Sequence, residues 1–291
     1  MRTHIATEPV EHNGYLALRQ HNLLLAAARE GRKADVERLL NEGADPHFRD
    51  VSWGRSPLSQ AAEYGRPAIV SLLLGRGVNP DITDVCGTEP SQDNTNRTPL
   101  MWAAMRDRPE VCRILLQNGA DPMCQSKNGR TALSWAAEHG RQEIVKILLK
   151  KNVSVNARDD FRQQTPLSWA AMNGHVFIIL LLLEAGADPT IADRHGQQSL
   201  SWAAAKGHET VVRLLLQQKN IEVNQQGNAG RTPLSWAAGN GHRGIVNLLL
   251  EHKADPKLAD DKGHTPMYWA AENGKRSLVD LFLKLETGVD R

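Results

Sequence analysis

Apolar residues along this chain alternate between two patterns. Leu234, Ala237 and Ala238 lie at i, i+3 and i+4, one face of a short helix. Further on, Ile245-Val246 and Leu248-Leu249-Leu250 mark a second helix. The residues between them read as helix signals. Thr232 supplies a hydroxyl cap, and Pro233 takes the first helical position, where a missing N–H costs nothing. Gly241 accepts the left-handed conformation that ends the first helix. Ala254-Asp255-Pro256 and a polar turn with Gly263 then lead to Thr265, where the pattern begins again. The predicted unit is helix, turn, helix and β-turn finger.

The leucine that opens the first helix recurs at Leu24, Leu58, Leu100, Leu133, Leu167, Leu200 and Leu234, with Met267 last. The intervals are 34, 42, 33, 34, 33, 34 and 33 residues. A period near 33 is the signature of an array whose units cannot bury their apolar faces alone. The phrases Asp261-Lys262-Gly263-His264-Thr265-Pro266 and Gly207-His208-Glu209-Thr210-Val211-Val212-Arg213-Leu214-Leu215-Leu216 resemble the ankyrin repeat. The Ser-Trp dipeptide of the repeated TPLSWAA resembles arrays common in fungal proteins.

The resemblance implies an all-α ankyrin-repeat solenoid of about eight helix-turn-helix units with β-turn fingers. It assigns residues 1–19 to an N-terminal extension, 20–286 to one solenoid and 287–291 to a tail. Repeats fall near 20–52, 53–94, 95–127, 128–161, 162–194, 195–228, 229–261 and 262–286. Three places depart from the pattern. Asp107 stands where the first helix usually ends in Gly, Lys253 where a left-handed Gly is usual, and Gln198-Ser199 replaces Thr-Pro.

Six of the seven tryptophans occupy one repeat position: Trp102, Trp135, Trp169, Trp202, Trp236 and Trp269. With Leu234 at zero on a helical wheel, Trp236 falls about 200° away, opposite the buried arc. In an ankyrin stack that places a ladder of indoles along the concave groove. The ladder reads either as framework or as a row of partner anchors. The residue before each cap reads Arg55, Arg97, Arg130, Gln164, Gln197, Arg231 and His264. The family turns this position toward its partner. Four arginines and no acid there point to an acidic protein partner, with guanidinium-on-indole stacking. Trp53, Tyr64, Arg106 and His139 complete the expected partner-binding set.

Other features mark the ends and faces. The first repeat carries Asp35 and Arg38 where others are apolar, as a terminal cap needs. Val176, Phe177 and Leu180 form an apolar trio on a face that is polar in other repeats, and imply a contact surface with weak self-association. Leu278, Leu281 and Phe282 of the unpolar last repeat are its expected second contact, unless residues 284–291 fold over that end. A nine-residue insertion within 82–94 has the Gly, Pro, Ser and Asn content of a loop.

Composition narrows the function classes. A formal net charge of +2 provides no global attraction to nucleic acid or an anionic membrane. The longest apolar run, Val176 to Leu183, is far short of the roughly 20 residues that span a bilayer. Three cysteines without a CxxC pair and a non-apolar start indicate an intracellular chain, cytoplasmic or nuclear. No phosphate loop, HExxH or nucleophile triad occurs, so no cofactor, metal or catalytic residue is expected. His175, His208 and His242 read as local hydrogen-bonding residues. The expected function is a non-catalytic interaction scaffold. The alternative is a small-molecule or enzymatic site near Trp53, Tyr64 and the insertion, where His47, Asp50, Cys86 and Trp102 would also converge.

Overall fold

The computed structural model describes residues 10–84 and 96–287, with side chains described from residue 16 onward. Among these residues there are sixteen helices and no strand. They form two compact units, Met1–Ala132 and Leu133–Arg291. Most of the 82–94 insertion, with Cys86, lies outside the described residues.

In the first unit, α1 (Val10–Glu30), α3 (Pro57–Glu63) and α5 (Pro99–Met105) pack in sequence as a first row. The paired helices α2 (Lys33–Asn41), α4 (Pro67–Gly75) and α6 (Pro109–Gln117) form a second row against them. The first row puts its leucine and alanine face inward: Leu24, Ala27, Ala28, Leu58, Ala61 and Ala62 are all fully buried. Alanine pairs allow neighbouring helices to approach closely. The capping role of the first repeat is visible in α2, where Arg38 pairs with Asp35 and Glu42 on the exposed face.

The second unit repeats the plan. Its first row is α7 (Ala132–Glu138), α9 (Pro166–Met172), α11 (Ser199–Lys206), α13 (Pro233–Asn240) and α15 (Pro266–Glu272). Its second row is α8 (Gln142–Leu149), α10 (Val176–Glu184), α12 (Glu209–Leu216), α14 (Arg243–Glu251) and α16 (Arg276–Thr287). The expected caps form. Thr232 Oγ1 accepts from Ser235 N at 3.1 Å, and Ser235 Oγ accepts in turn from Thr232 N at 2.9 Å. This reciprocal capping box explains the serine in the repeated phrase. Gln198, in place of threonine, makes no side-chain cap.

Between repeats, histidine acts as a strut. The Nε2 atoms of His175, His208 and His242 bond the carbonyls of Glu138, Met172 and Ala205 at 2.9, 3.0 and 3.1 Å. Each ring lies over the glycine that ends the preceding first-row helix. A Cβ at Gly140, Gly174 or Gly207 would come within 2.8 Å of it, and all three glycines have positive φ. In the first unit, Arg66 and Arg108 make the same bond through Nε. Asp107 and Lys253 do adopt positive φ, 58° and 65°.

Two expectations about the molecule's edges change. Residues 284–287 continue α16 rather than folding back over the last repeat. Leu278 and Phe282 are core residues, 1% and 2% exposed, so they offer no contact surface; Leu283 and Leu285 are the exposed apolar residues of that helix. On α10, Phe177 and Leu180 are exposed while Val176 is half-buried.

Candidate partner-binding face

The tryptophans sit between each first-row helix and its finger, and most are tied to the finger by an acid. Trp169, Trp202 and Trp269 donate their indole N–H to Asp159, Asp193 and Asp260 at 3.1, 2.9 and 3.0 Å. Trp102 donates likewise to Asp84. The same aspartates organise the finger itself. Asp193 Oδ1 accepts from the backbone N–H of His195 and Gln197, and Asp260 Oδ1 from those of Lys262 and His264. One carboxylate therefore shapes the turn and orients the indole. Burial pushes the Asp260 carboxyl up, but the N–H donors of His264, Lys262 and Trp269 outweigh it and hold the group below its ordinary value. Sequence reading missed this coupling. Its signal is an acid nine or ten residues ahead of the tryptophan.

The arginines before the caps lie on the indoles. In the first unit the Arg55 and Arg97 guanidinium carbons stand 3.7 and 4.6 Å from the centroid of the Trp102 ring. In the second unit Arg231 lies between Trp236 and Trp269, at 3.7 and 4.0 Å. The expected stacking is present, and it withdraws these arginines from the surface. Arg130 is buried. Arg55 is nearly so, paired with Glu63 and standing 3.6 Å from Asp84. Glu63 is itself buried and also holds Arg106 at 2.9 Å. Burial lowers the Arg55 pKa against the opposing pull of Asp84, and raises the Asp84 carboxyl to about 6 against that of Arg55.

The remaining expected partner residues differ in exposure. Trp53, at a finger tip, is 57% exposed, and Tyr64, at the end of α3, is 43% exposed. Arg106 keeps over half of its side chain exposed despite its ion pair. Trp102 and Trp135 are buried, and the other four ladder indoles are half-buried. His139 folds back, its Nδ1 at 3.0 Å from the Trp135 carbonyl. A cleft of about 280 Å³ beside Trp53 is lined by Asn22, Leu25, Ala26, Arg29, Asp50, Ser52 and Gln60. His47, Tyr64 and Trp102 are not among its lining residues. Cys112 is buried, which pushes its thiol up to about 12, and burial likewise raises Cys124 to about 11.

Paired short helices, glycine-ended and joined by acid-centred β-turn fingers, define the class of all-α helical-repeat proteins. A family model described as "Ankyrin repeats (3 copies)" matches residues 23–126, 85–159, 118–193, 158–227 and 200–291. The chain belongs to the ankyrin-repeat family. Among solved structures it is similar to the ankyrin repeat domain of Bcl-3, described as a unique member of the IkappaB protein family. Identity is 30% and the TM-score 0.62, over 75% of this chain and 95% of that one. None of the curated proteins compared with it matches. Ankyrin repeats generally mediate protein–protein interaction. No described helix is long and apolar enough to cross a membrane.

Proposed function

We propose that this chain is a non-catalytic intracellular scaffold that holds an acidic protein partner along its fingers and first-row helices. The observation that carries the reading is the pair of aromatics on the first unit, Trp53 and Tyr64, which stand exposed at a finger tip and a helix end. Neither ring is needed to fill the core, and exposed tryptophan and tyrosine are the residue types that dominate binding energy at interfaces. Arg106 supplies an exposed cation beside the buried Glu63. On the second unit, Trp236, Trp269 and Arg231 are half-buried and offer a site of their own. Phe177 and Leu180, exposed on α10, are a second, smaller contact through which we infer weak self-association.

A small-molecule reading draws on the cleft beside Trp53, whose volume sits at the low end for ligand pockets. The polar groups it would need do not all line that cleft, so the protein-partner reading is preferred. The test is affinity capture from a lysate of the native cell, comparing the wild type with Trp53→Ala/Tyr64→Ala. The double variant is expected to keep the wild-type melting temperature and lose the captured protein. Equal capture of the same protein by both would overturn the reading.

A further inference from the structure

Arg231 differs from Arg55 in having no ion pair; Asp260, the counterpart of Asp84, pulls on its charge without contacting it. Two residues that supply acids elsewhere are glycines here. The finger position held by Asp193 and Asp260 is Gly227, and the position of Glu63, five after the repeat leucine, is Gly239. Alignment of the fingers is fixed by one backbone bond, from the N–H of Asp193, Gly227 and Asp260 to the carbonyls of Gln197, Arg231 and His264. As a result, the Trp236 indole N–H is buried with no partner among the described residues; Arg231 Nε is buried without a hydrogen bond too, as is Arg55 Nε. Arg231 donates through Nη2 to the Ser235 carbonyl at 2.9 Å, a neutral acceptor. Asp260, the nearest finger acid, is committed to Lys262, His264 and Trp269.

The finger cannot supply the missing acid itself. A Cβ at residue 227 would run into Gln197 Nε2 and lie 2.9 Å from the His195 carbonyl oxygen. Gly239 instead lets the guanidinium lie across α13, where a Cβ would stand 3.1 Å from Nη2 and 3.4 Å from Trp269 Cβ. The outcome is a cation held between two indoles, partly exposed, with no ion pair and only the pull of Asp260 on its charge. Planar guanidinium matches a carboxylate geometrically, and flanking rings keep it oriented at low entropic cost.

We propose that Arg231, clamped between Trp236 and Trp269, is the receptor for a glutamate side chain of the protein partner, which takes the part that Glu63 takes for Arg55. The first unit shows the completed arrangement with the chain's own glutamate, and this identifies the occupant. Burial lowers the Arg231 pKa to about 10 against the opposing pull of Asp260. This inference rests on the reading of the finger and first-row face as a partner surface.

The test is a ¹⁵N NMR titration of the full chain that follows the indole N–H signals, assigned with Trp236→Phe and Trp269→Phe. The probe is the capped peptide acetyl-Gly-Glu-Gly-amide, with acetyl-Gly-Gln-Gly-amide as the neutral control and sodium phosphate as a simple-anion control. Saturable shifts of the Trp236 and Trp269 signals with the glutamate peptide alone are expected. Gly239→Glu, which places an internal carboxylate beside Arg231, should fold with an undiminished melting temperature and weaken the peptide at least ten-fold. Arg231→Gln should do the same by removing the cation. Absence of saturable shifts, equal shifts with the glutamine peptide or phosphate, or full binding by Gly239→Glu would each overturn the proposal. Capture of a protein through Trp53 and Tyr64 alongside failed shifts would remove this site and leave the scaffold reading standing. Failure of both would remove the scaffold reading as well.

Discussion

The Arg55 stack in the first unit and the Arg231 stack in the second share one arrangement of arginine on indole, but differ in charge balance. Around Trp102 two carboxylates, Glu63 and Asp84, face Arg55 within a nearly closed site. Around Arg231 the Glu63 position is Gly239, the counterpart of Asp84 is Asp260, already bonded to Lys262, His264 and Trp269, and the guanidinium is left with a carbonyl. A repeat array copies its helices and caps because every unit needs them to fold. The polar residues behind the tryptophans differ from repeat to repeat, and at Arg231 the glutamate of the first stack is replaced by Gly239. The first stack therefore depends on Glu63, which both Arg55 and Arg106 use, and the second has no such ion pair to lose.

The largest effect should come from breaking the first stack. Glu63→Leu strands Arg55 in a nearly closed site with only Asp84 at 3.6 Å, and leaves Arg106 without its acceptor. A cost of about 3 kcal/mol is expected, as for a buried pair that loses one partner. Arg231→Met should cost little, because no carboxylate is abandoned and both indoles keep an apolar neighbour. Urea midpoints of the two variants decide the matter; similar losses would mean that the two stacks do not differ in the way described.

Titration gives the next contrast. The Asp84 carboxyl is raised to about 6 by burial, so the folded chain binds its proton more tightly than the unfolded chain does. Its stabilising contribution is full below about pH 4 and is lost as pH rises through about 6, by up to about 1.4 kcal/mol per unit. Asp260 acts in the opposite sense. Its depressed carboxyl contributes stability above the unfolded value that is lost on acidification below about pH 4. Denaturation midpoints measured from pH 3 to 7 should show Asp84→Asn removing a falling slope between pH 4 and 6. Asp260→Asn should leave that slope in place and remove a rising one at lower pH.

The smallest effect lies within the ladder. Trp202→Phe removes the donor to Asp193, whose carboxylate is buried, and should cost about 1 to 2 kcal/mol beyond the change in ring size. Trp236→Phe removes an indole N–H that has no acceptor among the described residues, so only the ring-size change should remain. Equal calorimetric losses would show that the finger aspartate contributes nothing to holding the indole.

Most of the architecture was legible in the chain. Thr232, Pro233 and Gly241 announce a helix's start and stop because local backbone geometry decides them, and the structure has those caps. The leucine and alanine spacing identified the buried face for the same reason. The Trp ladder was legible as a position, and stacking by arginine was expected from charge and aromatic content alone. What escaped was the partner of each indole. Asp193 and Trp202 lie nine residues apart, with a turn and a helix start between them. No helical or strand periodicity relates two such positions.

The sequence by itself determined the repeat, its caps, its core face and its membership of the ankyrin family, because each of these rests on contacts within about 33 residues and recurs. The tertiary structure decided which charges are spent internally. Arg55 and Arg231 occupy the same place in the repeat, yet Glu63 pairs with one, and Gly239 leaves the other without an ion pair. That difference depends on side chains from neighbouring fingers and helices meeting in space, where removal from water makes a missing carboxylate matter far more than it would on an exposed surface.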